Sequence, residues 1–358
     1  MATTFTRVND SDAHAGAATR ITLNELGFFS LSAVRTAAGN LRLIGWSTGG
    51  NTVDRLADSK NQAGEVREIA MTRNLNRTVT AVRTGSGTLR LISWSDNSDL
   101  SNITRLNDSK QQAGEATQIA IQPVGGASDA DLVTACRTGA GILRLISWNL
   151  NSGDGALTRL GDSQNKAGEI SLVDLTLNRD LIVTAVRDGG GNLLLISWRI
   201  SPDGINFTRL DDSAGEAGAV SEIAMAGSES GPTGTRAVTA VRDGGGNLLL
   251  ISWDIAQDGT ITRLDDSAGD AGQATKIAIS GFSPSRYVTA VRTGSGRLRL
   301  IAWDVDLSSG EVTRTGDSEN QAGAISEVAL VTPAQNNLAT AVRDGGDNLK
   351  VISWDMLN

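Results

Sequence analysis

Four short runs of alternating apolar and polar residues recur one after another along the chain. In one stretch they are Ile261–Leu264 ("ITRL"), Lys276–Ser280 ("KIAIS"), Tyr287–Arg292 ("YVTAVR") and Leu298–Trp303 ("LRLIAW"). The runs are rich in Val, Ile, Thr and Leu, and Gly, Asp, Ser and Asn separate them, which predicts β-strands joined by turns. Because no segment carries an apolar stripe of helical period with capping residues, we expect an all-β chain.

The fourth run closes on a tryptophan in every unit, and these tryptophans measure the repeat. Successive tryptophans are 48, 54, 50, 55, 50 and 51 residues apart. They are Trp46, Trp94, Trp148, Trp198, Trp253, Trp303 and Trp354. Four strands in each of seven units predict a seven-bladed β-propeller of four-stranded antiparallel blades. We expect residues 1–358 to form this single domain.

The phase of the repeat predicts how the ring closes. The chain opens with a run of the first kind, Phe5–Val8, and ends with a run of the fourth kind, Leu349–Trp354. If each "TRL" strand is the outermost strand of the preceding blade, the last blade lacks its outer strand. We therefore expect the N-terminal strand to complete the C-terminal blade, which leaves no unpaired strand there.

The phrase "AVTAVRDGGGNLLLISWDIAQDGTITRLDDS" resembles a WD40-type repeat in its Asp-Gly turn, its closing Ser252–Asp254 ("SWD") and the outer strand that follows. Trp-Asp pairs also occur at Trp303–Asp304 and Trp354–Asp355, whereas the Gly-His pair typical of WD40 units is absent. The resemblance implies a propeller with a similar strand order. A weaker resemblance, in symmetry alone, is to seven-bladed lectin propellers.

Two of the four connections in each unit have a constant length. The "VR" arginine precedes the tryptophan by 11 residues, and the "TR" arginine precedes the "DS" aspartate by three, in all seven units. The other two connections vary, by up to five residues between the "AG" glycine and the "VR" arginine. Alternate connections of an up-and-down blade lie on the same side, so we expect a fixed face and a variable face.

The fixed face carries the candidate site residues. The strand arginines are Arg35, Arg83, Arg137, Arg187, Arg242, Arg292 and Arg343. The loop aspartates, each followed by serine, are Asp10, Asp58, Asp108, Asp162, Asp212, Asp266 and Asp317. A partly buried arginine needs a carboxylate or several carbonyls, so the favoured interpretation is a network that braces the blades. The alternative is that each blade presents these groups to a sugar or an anion.

The Gly-rich turn "RDGGGN" (Arg187–Asn192) is interpreted as a hairpin turn. Its fifth letter is Gly in six units and Asp347 in the seventh, which are residues that tolerate positive φ. A phosphate-binding loop would be followed by a helix, and this turn is followed by a strand.

The residues do not predict an enzyme or a cofactor. The only histidine, His14, lies at a loop position that is Gln62, Gln112, Lys166, Glu216, Asp270 or Gln321 elsewhere, which indicates a solvent position. Cys136 replaces a strand valine, so we interpret it as core. No group of His, Cys and carboxylates has metal-ligand spacing, and we expect no metal.

The net charge of the chain limits the classes of partner that we expect. A net charge of −8 and a pI of about 4.9 argue against nucleic acid and against anionic membranes. No signal peptide or membrane span is visible in the sequence, so we expect a soluble protein, with the cytoplasm favoured but the compartment undetermined. We expect a monomer.

Two functions remain open. The first is a non-catalytic scaffold whose protein partner docks on one face, where the irregular segments Val124–Asp131 and Gly227–Thr235 break the symmetry. The second is a multivalent lectin-like module with equivalent sites around the ring. Since the tryptophans alternate with Ile and Leu in strands, we expect them in the core and not as platforms for sugars.

Overall fold

The computed structural model describes residues 2–12, 15–49, 52–60, 62–74, 76–97, 99–125, 128–178, 181–228, 234–269, 271–319, 321–334 and 336–357. Within these ranges the chain forms 28 strands and no helix, arranged as seven four-stranded antiparallel sheets. Each sheet is one blade of a propeller, which confirms the predicted fold class and number of blades.

The strands fall into four sets by their place in the blade. The inner strands are β2 (Ala18–Leu26), β6 (Val66–Asn74), β10 (Ala116–Pro123), β14 (Ile170–Asn178), β18 (Val220–Ser228), β22 (Ala274–Ser283) and β26 (Ile325–Ala334). The second strands are β3 (Phe29–Thr36), β7 (Arg77–Thr84), β11 (Leu132–Thr138), β15 (Leu181–Asp188), β19 (Gly234–Asp243), β23 (Arg286–Thr293) and β27 (Asn337–Asp344). The third strands are β4 (Leu41–Ser47), β8 (Leu89–Asp96), β12 (Leu143–Leu150), β16 (Leu193–Ile200), β20 (Leu248–Ala256), β24 (Leu298–Val305) and β28 (Leu349–Leu357). The outer strands are β5 (Asp54–Asp58), β9 (Ile103–Asp108), β13 (Leu157–Asp162), β17 (Phe207–Asp212), β21 (Ile261–Asp266), β25 (Val312–Asp317) and, for the last blade, β1 (Thr4–Asp10).

Strand order follows the chain in six blades and closes the ring in the seventh. Blade 1 has the order β2-β3-β4-β5, and blades 2 to 6 repeat it. Blade 7 has the order β26-β27-β28-β1, with Thr4 opposite Leu357 and Asp10 opposite Ile352. The predicted closure by the N-terminal strand is therefore confirmed.

The core lies between blades and not within them. Ala135 and Leu145 of blade 3, for example, pack in one buried cluster with Val186, Ile196 and Trp198 of blade 4. A strand whose two faces both meet a neighbouring blade needs apolar residues on both faces, which explains the "LLLISW" runs.

The seven tryptophans are at most 1% exposed. Trp94 Nε1 donates to Thr80 Oγ1 at 3.0 Å, across to the second strand of the same blade, and the other six tryptophans make the same bond to Ser or Thr. Burial with a satisfied N–H confirms that the tryptophans are core residues.

The turns between second and third strands have the predicted conformation. The fifth residue of the phrase has positive φ in every blade, between 82° and 91° at the six glycines and 67° at Asp347. A strand follows each turn. No helix that could span a membrane occurs among the residues that the structure describes.

Candidate functional site

The serine of each "DS" pair on the fixed face makes two hydrogen bonds to the backbone of the third strand, as a residue of a paired strand would. The N–H of Ser109 donates to the Leu91 carbonyl at 2.9 Å, and its Oγ accepts from the Leu91 N–H at 3.0 Å. The other six blades repeat both bonds. These serines are at most 2% exposed, so the two hydrogen bonds that join the end of each outer strand to the third strand of its blade are buried.

The aspartate of each pair is bonded through both carboxylate oxygens. Asp108 Oδ1 accepts the N–H of Lys110 at 2.6 Å, and its Oδ2 pairs with the guanidinium of Arg105. All seven blades carry this ion pair between the outer-strand arginine and the loop aspartate. The pairs are Arg7–Asp10, Arg55–Asp58, Arg105–Asp108, Arg159–Asp162, Arg209–Asp212, Arg263–Asp266 and Arg314–Asp317.

The loop that carries each aspartate also holds the next blade. Gln62, in the loop that leaves blade 1, accepts the Arg105 N–H at 2.7 Å through Oε1, and its carbonyl accepts from Arg105 Nη1 at 2.9 Å. Gln112 contacts Arg159 in the same way. Both glutamines are exposed, as the sequence predicted for this position, but their amides are bonded. His14 and Asp270 lie outside the described residues.

The strand arginines contact backbone and hydroxyl groups instead of the loop aspartates. Arg137 Nε donates to the Ile170 carbonyl of blade 4 at 2.6 Å, and Nη1 donates to Thr117 Oγ1 of its own blade at 3.0 Å. Arg35, Arg187 and Arg292 repeat both bonds. These four side chains therefore link adjacent inner strands.

The remaining three strand arginines depart from this pattern. Arg242 keeps the bond to its hydroxyl, Ser221 Oγ, at 2.8 Å. Arg343 keeps its own hydroxyl bond and adds an ion pair with Asp347 at 2.7 Å. Arg83 has no hydroxyl partner, because Arg67 stands where the other units have Ser or Thr.

Four half-buried arginines on the third strands were not singled out from the sequence. They occupy the second position of the "LRLI" phrase and are Arg42, Arg90, Arg144 and Arg299. Within the described part of the chain, none of these guanidinium groups has a hydrogen-bond or ion-pair partner, and the Nε of three of them is buried. The signal was the variation of this position, which is Leu194, Leu249 and Lys350 in the other units.

Two of these arginines line depressions at equivalent places on the fixed face. A cavity of about 350 Å³ lies beside Arg144, and its lining includes Glu115, Thr138, Arg159 and Asn165. A cavity of about 290 Å³ lies beside Arg299, with Gln273 and Thr293 in its wall. Each depression is bounded by the loop from the preceding blade and by the turn of its own blade.

A third cavity, of about 550 Å³, opens between the inner strands toward the variable face, and all seven inner strands line it. Farther from this mouth, Arg20 bridges Glu68 at 3.1 Å and Glu327 at 3.2 Å. Burial raises the pKa of Asp174 to about 6, although the N–H groups of Leu175 and Met225 donate to its carboxylate and partly oppose that shift. The hydrogen bond from the Met225 N–H to Asp174 thus joins the inner strands of blades 4 and 5 along the wall of the central channel, which the seven inner strands surround.

Two observations concern the thiol and the groups that could bind a metal among the described residues. Burial raises the pKa of the Cys136 thiol to about 12, so the thiolate is not populated near neutral pH. No group of three or more His, Cys, Asp or Glu side chains within the described ranges is placed to hold a metal ion.

The variable face carries the three most exposed large apolar side chains of the described chain. Phe28, between β2 and β3, is 65% exposed, Leu357, at the end of β28, is 58%, and Ile205, between β16 and β17, is 48%. The irregular segment Val124–Asp131 is tied to blade 4 by the Asp129 N–H, which donates to the Pro202 carbonyl at 2.8 Å. Residues 126–127 of this segment, and residues 229–233 of the second irregular segment, Gly227–Thr235, lie outside the described ranges.

Comparison with known proteins supports the fold. No protein-family model and no curated protein matches the sequence. The chain is similar to Raptor of Chaetomium thermophilum, with a TM-score of 0.63 and 10% identity over 98% of this chain and 28% of that one. It is also similar to a chain of the Mitotic Checkpoint Complex (0.60, 15% identity, 97% and 94% covered) and to Sqt1 of Saccharomyces cerevisiae (0.56, 13%, 98% and 99%). The chain thus spans about a quarter of Raptor and nearly all of the other two. By its strand order, which these likenesses support, the molecule is a seven-bladed β-propeller.

Proposed function

We propose that the protein is a non-catalytic binding scaffold that docks a protein partner on its variable face. The observation that carries the proposal is the position of Phe28, Leu357 and Ile205, the three most exposed large apolar side chains described, on that face. Exposed apolar surface marks sites of protein–protein interaction, and aromatic side chains such as phenylalanine are enriched at interfaces.

Three further features agree with this proposal. The constant loops of the fixed face are occupied by internal bonds, as for Asp108 with Arg105. The variable connections differ in length from blade to blade, so they distinguish one sector of the ring from another. The solved structures that this chain resembles include a chain of the Mitotic Checkpoint Complex, which is an assembly.

Affinity capture with matched variants tests the proposal. Phe28→Ser and Leu357→Ser together remove apolar surface from the variable face, and a second variant shortens Val124–Asp131 and Gly227–Thr235 to the length in the sibling units. Leu56→Ser and Leu106→Ser, on the outer strands, serve as the control. A partner captured by the parent chain and by the control, but lost from either variant, supports the proposal. A partner retained by both variants contradicts it.

A second candidate is a multivalent carbohydrate-binding module. The observation that favours it is the recurrence of the depression beside Arg144 and Arg299 at equivalent places on the fixed face. Equivalent weak sites around a ring add their affinities through avidity. The buried tryptophans supply no stacking platform, so such sites depend on hydrogen bonds and charge. A glycan array in which no glycan is bound would overturn this candidate and leave the scaffold proposal untouched.

A further inference from the structure

We propose that Arg144 and Arg299, in the fixed-face depressions, together with Arg42 and Arg90 at the equivalent strand positions of blades 1 and 2, bind a hydroxylated carboxylate of the kind that a uronic acid presents. The inference deepens the carbohydrate-binding candidate and is independent of the protein scaffold. It assigns the ligand to arginines outside the repeated Arg–Asp network, whose members are already bonded to each other.

The first observation is that these guanidinium groups have donors to offer. The loops that surround Arg144 are fully described, and Arg144 has no partner there. Arg90 likewise has no partner among the residues that the structure describes. Arg137, on the neighbouring strand, donates through both Nε and Nη1. Buried polar atoms in proteins are nearly always paired, and the Nε atoms of Arg90 and Arg144 are buried without a partner, so they have a hydrogen bond left to donate. The planar fork of arginine fits a carboxylate with two parallel hydrogen bonds.

The second observation is that the residue at one turn position varies together with the residue at the second position of the third strand. Thr138 and Thr293 line the cavities beside Arg144 and Arg299. In every unit with arginine on the third strand, the turn residue at this position is threonine, namely Thr36, Thr84, Thr138 and Thr293. Where the turn residue is Asp188, Asp243 or Asp344, the third-strand residue is Leu194, Leu249 or Lys350. The chain therefore never places a turn carboxylate beside these arginines, where it would neutralise them.

The third observation is the chemistry of the walls. Around Arg144 they offer the Thr138 hydroxyl, the Asn165 amide and the Glu115 carboxylate, all of which bond sugar hydroxyls. Glu115 disfavours a ligand with several negative charges, because like charges repel at short range. No aromatic side chain lines this cavity. A small ligand with one carboxylate and several hydroxyls matches the charge, and a volume of about 350 Å³ suits a small molecule.

Four such sites are expected, and not seven. Leu194 and Leu249 remove the guanidinium from blades 4 and 5, and Lys350 in blade 7 pairs with Asp10 at 3.4 Å. The leucines also show that the fold accepts an aliphatic side chain at this position, since both pack against inter-blade clusters. Substitution of arginine by leucine therefore gives a test in which folding is retained.

The experiment titrates the full chain with sodium glucuronate, glucose and acetate and follows the arginine Nε–H signals by ¹H–¹⁵N NMR. Glucuronate is expected to shift the signals of the four arginines, and acetate and glucose are expected to bind at least tenfold more weakly. The Arg90→Leu/Arg144→Leu variant keeps only the shifts of Arg42 and Arg299. Leu194→Arg combined with Asp188→Thr gains a site in blade 4, whereas Leu194→Arg alone does not, because Asp188 remains. Unchanged thermal unfolding confirms that each variant is folded.

The outcomes separate this inference from the function that it deepens. Glucuronate binding that survives in the quadruple Arg→Leu variant overturns the assignment of the site, while the carbohydrate candidate stands. Glucose that binds as tightly as glucuronate overturns the role of the carboxylate. No shift with glucuronate or galacturonate at about 10 mM, where even a weak single site registers, overturns the inference.

Discussion

Gly45 in the third strand of blade 1 faces Leu100 in the loop of blade 2, and a Cβ atom on Gly45 would lie 2.9 Å from the Leu100 Cβ. Four other blades have a serine in place of this glycine and a glycine in the facing loop. There the serine Oγ donates to the glycine carbonyl at 2.5–2.6 Å, in the pairs Ser93–Gly155, Ser147–Gly204, Ser197–Gly259 and Ser252–Gly310. At this contact the strand residue is the smaller one and the loop residue the larger one, which is the reverse of the other four pairs. The Leu100 side chain occupies the space that a serine side chain occupies there.

This exchange predicts a double-mutant cycle with strong coupling. Gly45→Ser alone brings the new Cβ against Leu100 and is expected to lower the free energy of unfolding by about 1–3 kcal/mol. Leu100→Gly alone removes a fully buried side chain and is expected to cost about 3–5 kcal/mol. The double variant restores the arrangement of blades 2 to 5, so it should be more stable than the sum of the two losses implies. Denaturant unfolding of the four proteins measures the coupling, and additive losses would contradict the exchange.

The outer strands contain a second close approach. A Cβ on Gly316 would lie 1.8 Å from the Thr3 carbonyl oxygen, where the N–H of Thr3 donates to the Thr315 carbonyl at 2.9 Å. Gly316→Ala must therefore push the N-terminal strand away, and we expect a loss of about 2–3 kcal/mol or more. Gly323→Ala is the matched control, because its Cβ meets nothing within 4 Å. Thermal unfolding compares the two variants, and equal midpoints would show that the ring closure does not depend on this contact.

The fold could be predicted because its determinants are local and repeated. Alternation along Ile261–Leu264 or Leu298–Trp303 specifies a strand, and the phase of Phe5–Val8 relative to Leu349–Trp354 specifies the closure. Seven units give the same indication seven times, so one irregular loop does not change the result. The conformation of the turn also followed from sequence, since only a few residues tolerate positive φ.

The candidate site could be predicted only in part. The sequence showed that Asp108 recurs, but not that Arg105 rather than Arg83 pairs with it, because partners depend on how adjacent strands face each other. Constancy among the units does not reveal Arg144, because its position is arginine in four units, leucine in two and lysine in one. An arginine stem and a leucine fill similar space, so this position tolerates both, and the free guanidinium is visible only in the structure.

The bracing role of the strand arginines can be measured with a control that the chain supplies. Arg137→Met removes the bonds to the Ile170 carbonyl and to Thr117 Oγ1, and leaves both acceptors without their donor. We expect a loss of about 1.5–3 kcal/mol in the free energy of unfolding, because the bonds carry a charge. Arg83→Met should cost less, since Arg83 lacks the hydroxyl partner and its Nε is unpaired among the described residues.

Urea denaturation of the two methionine variants measures both losses. A larger loss for Arg83→Met than for Arg137→Met would contradict bracing through these bonds. Glycan binding of Arg137→Met supplies a second readout, because a bracing residue alters stability while a ligand residue alters affinity.

The carboxyl group of Asp174, in the wall of the central channel, is expected to make the free energy of unfolding depend on pH. The pKa of Asp174 rises to about 6 in the folded protein, mainly because burial disfavours the charged carboxylate, while an unfolded aspartate titrates near 4. Between these values the native state binds more protons than the unfolded state, so this group makes stability fall as pH rises from about 4 to about 6. Above that window the whole penalty applies, and below it none does.

Asp174→Ala tests this assignment, because Ala70, Ala120, Ala224, Ala278 and Ala329 occupy the same position in five other blades. The variant should lose the decline in stability between pH 4 and 6, so its free energy of unfolding relative to the parent improves as pH rises. The N–H groups of Leu175 and Met225 lose an acceptor at every pH, so this loss lowers the free energy of unfolding of the variant by about the same amount across the range. Chemical denaturation at half-unit steps of pH measures the difference. A constant difference across the range would show that the carboxylate titrates alike in both states, and a difference of the opposite slope would show that it is held ionised.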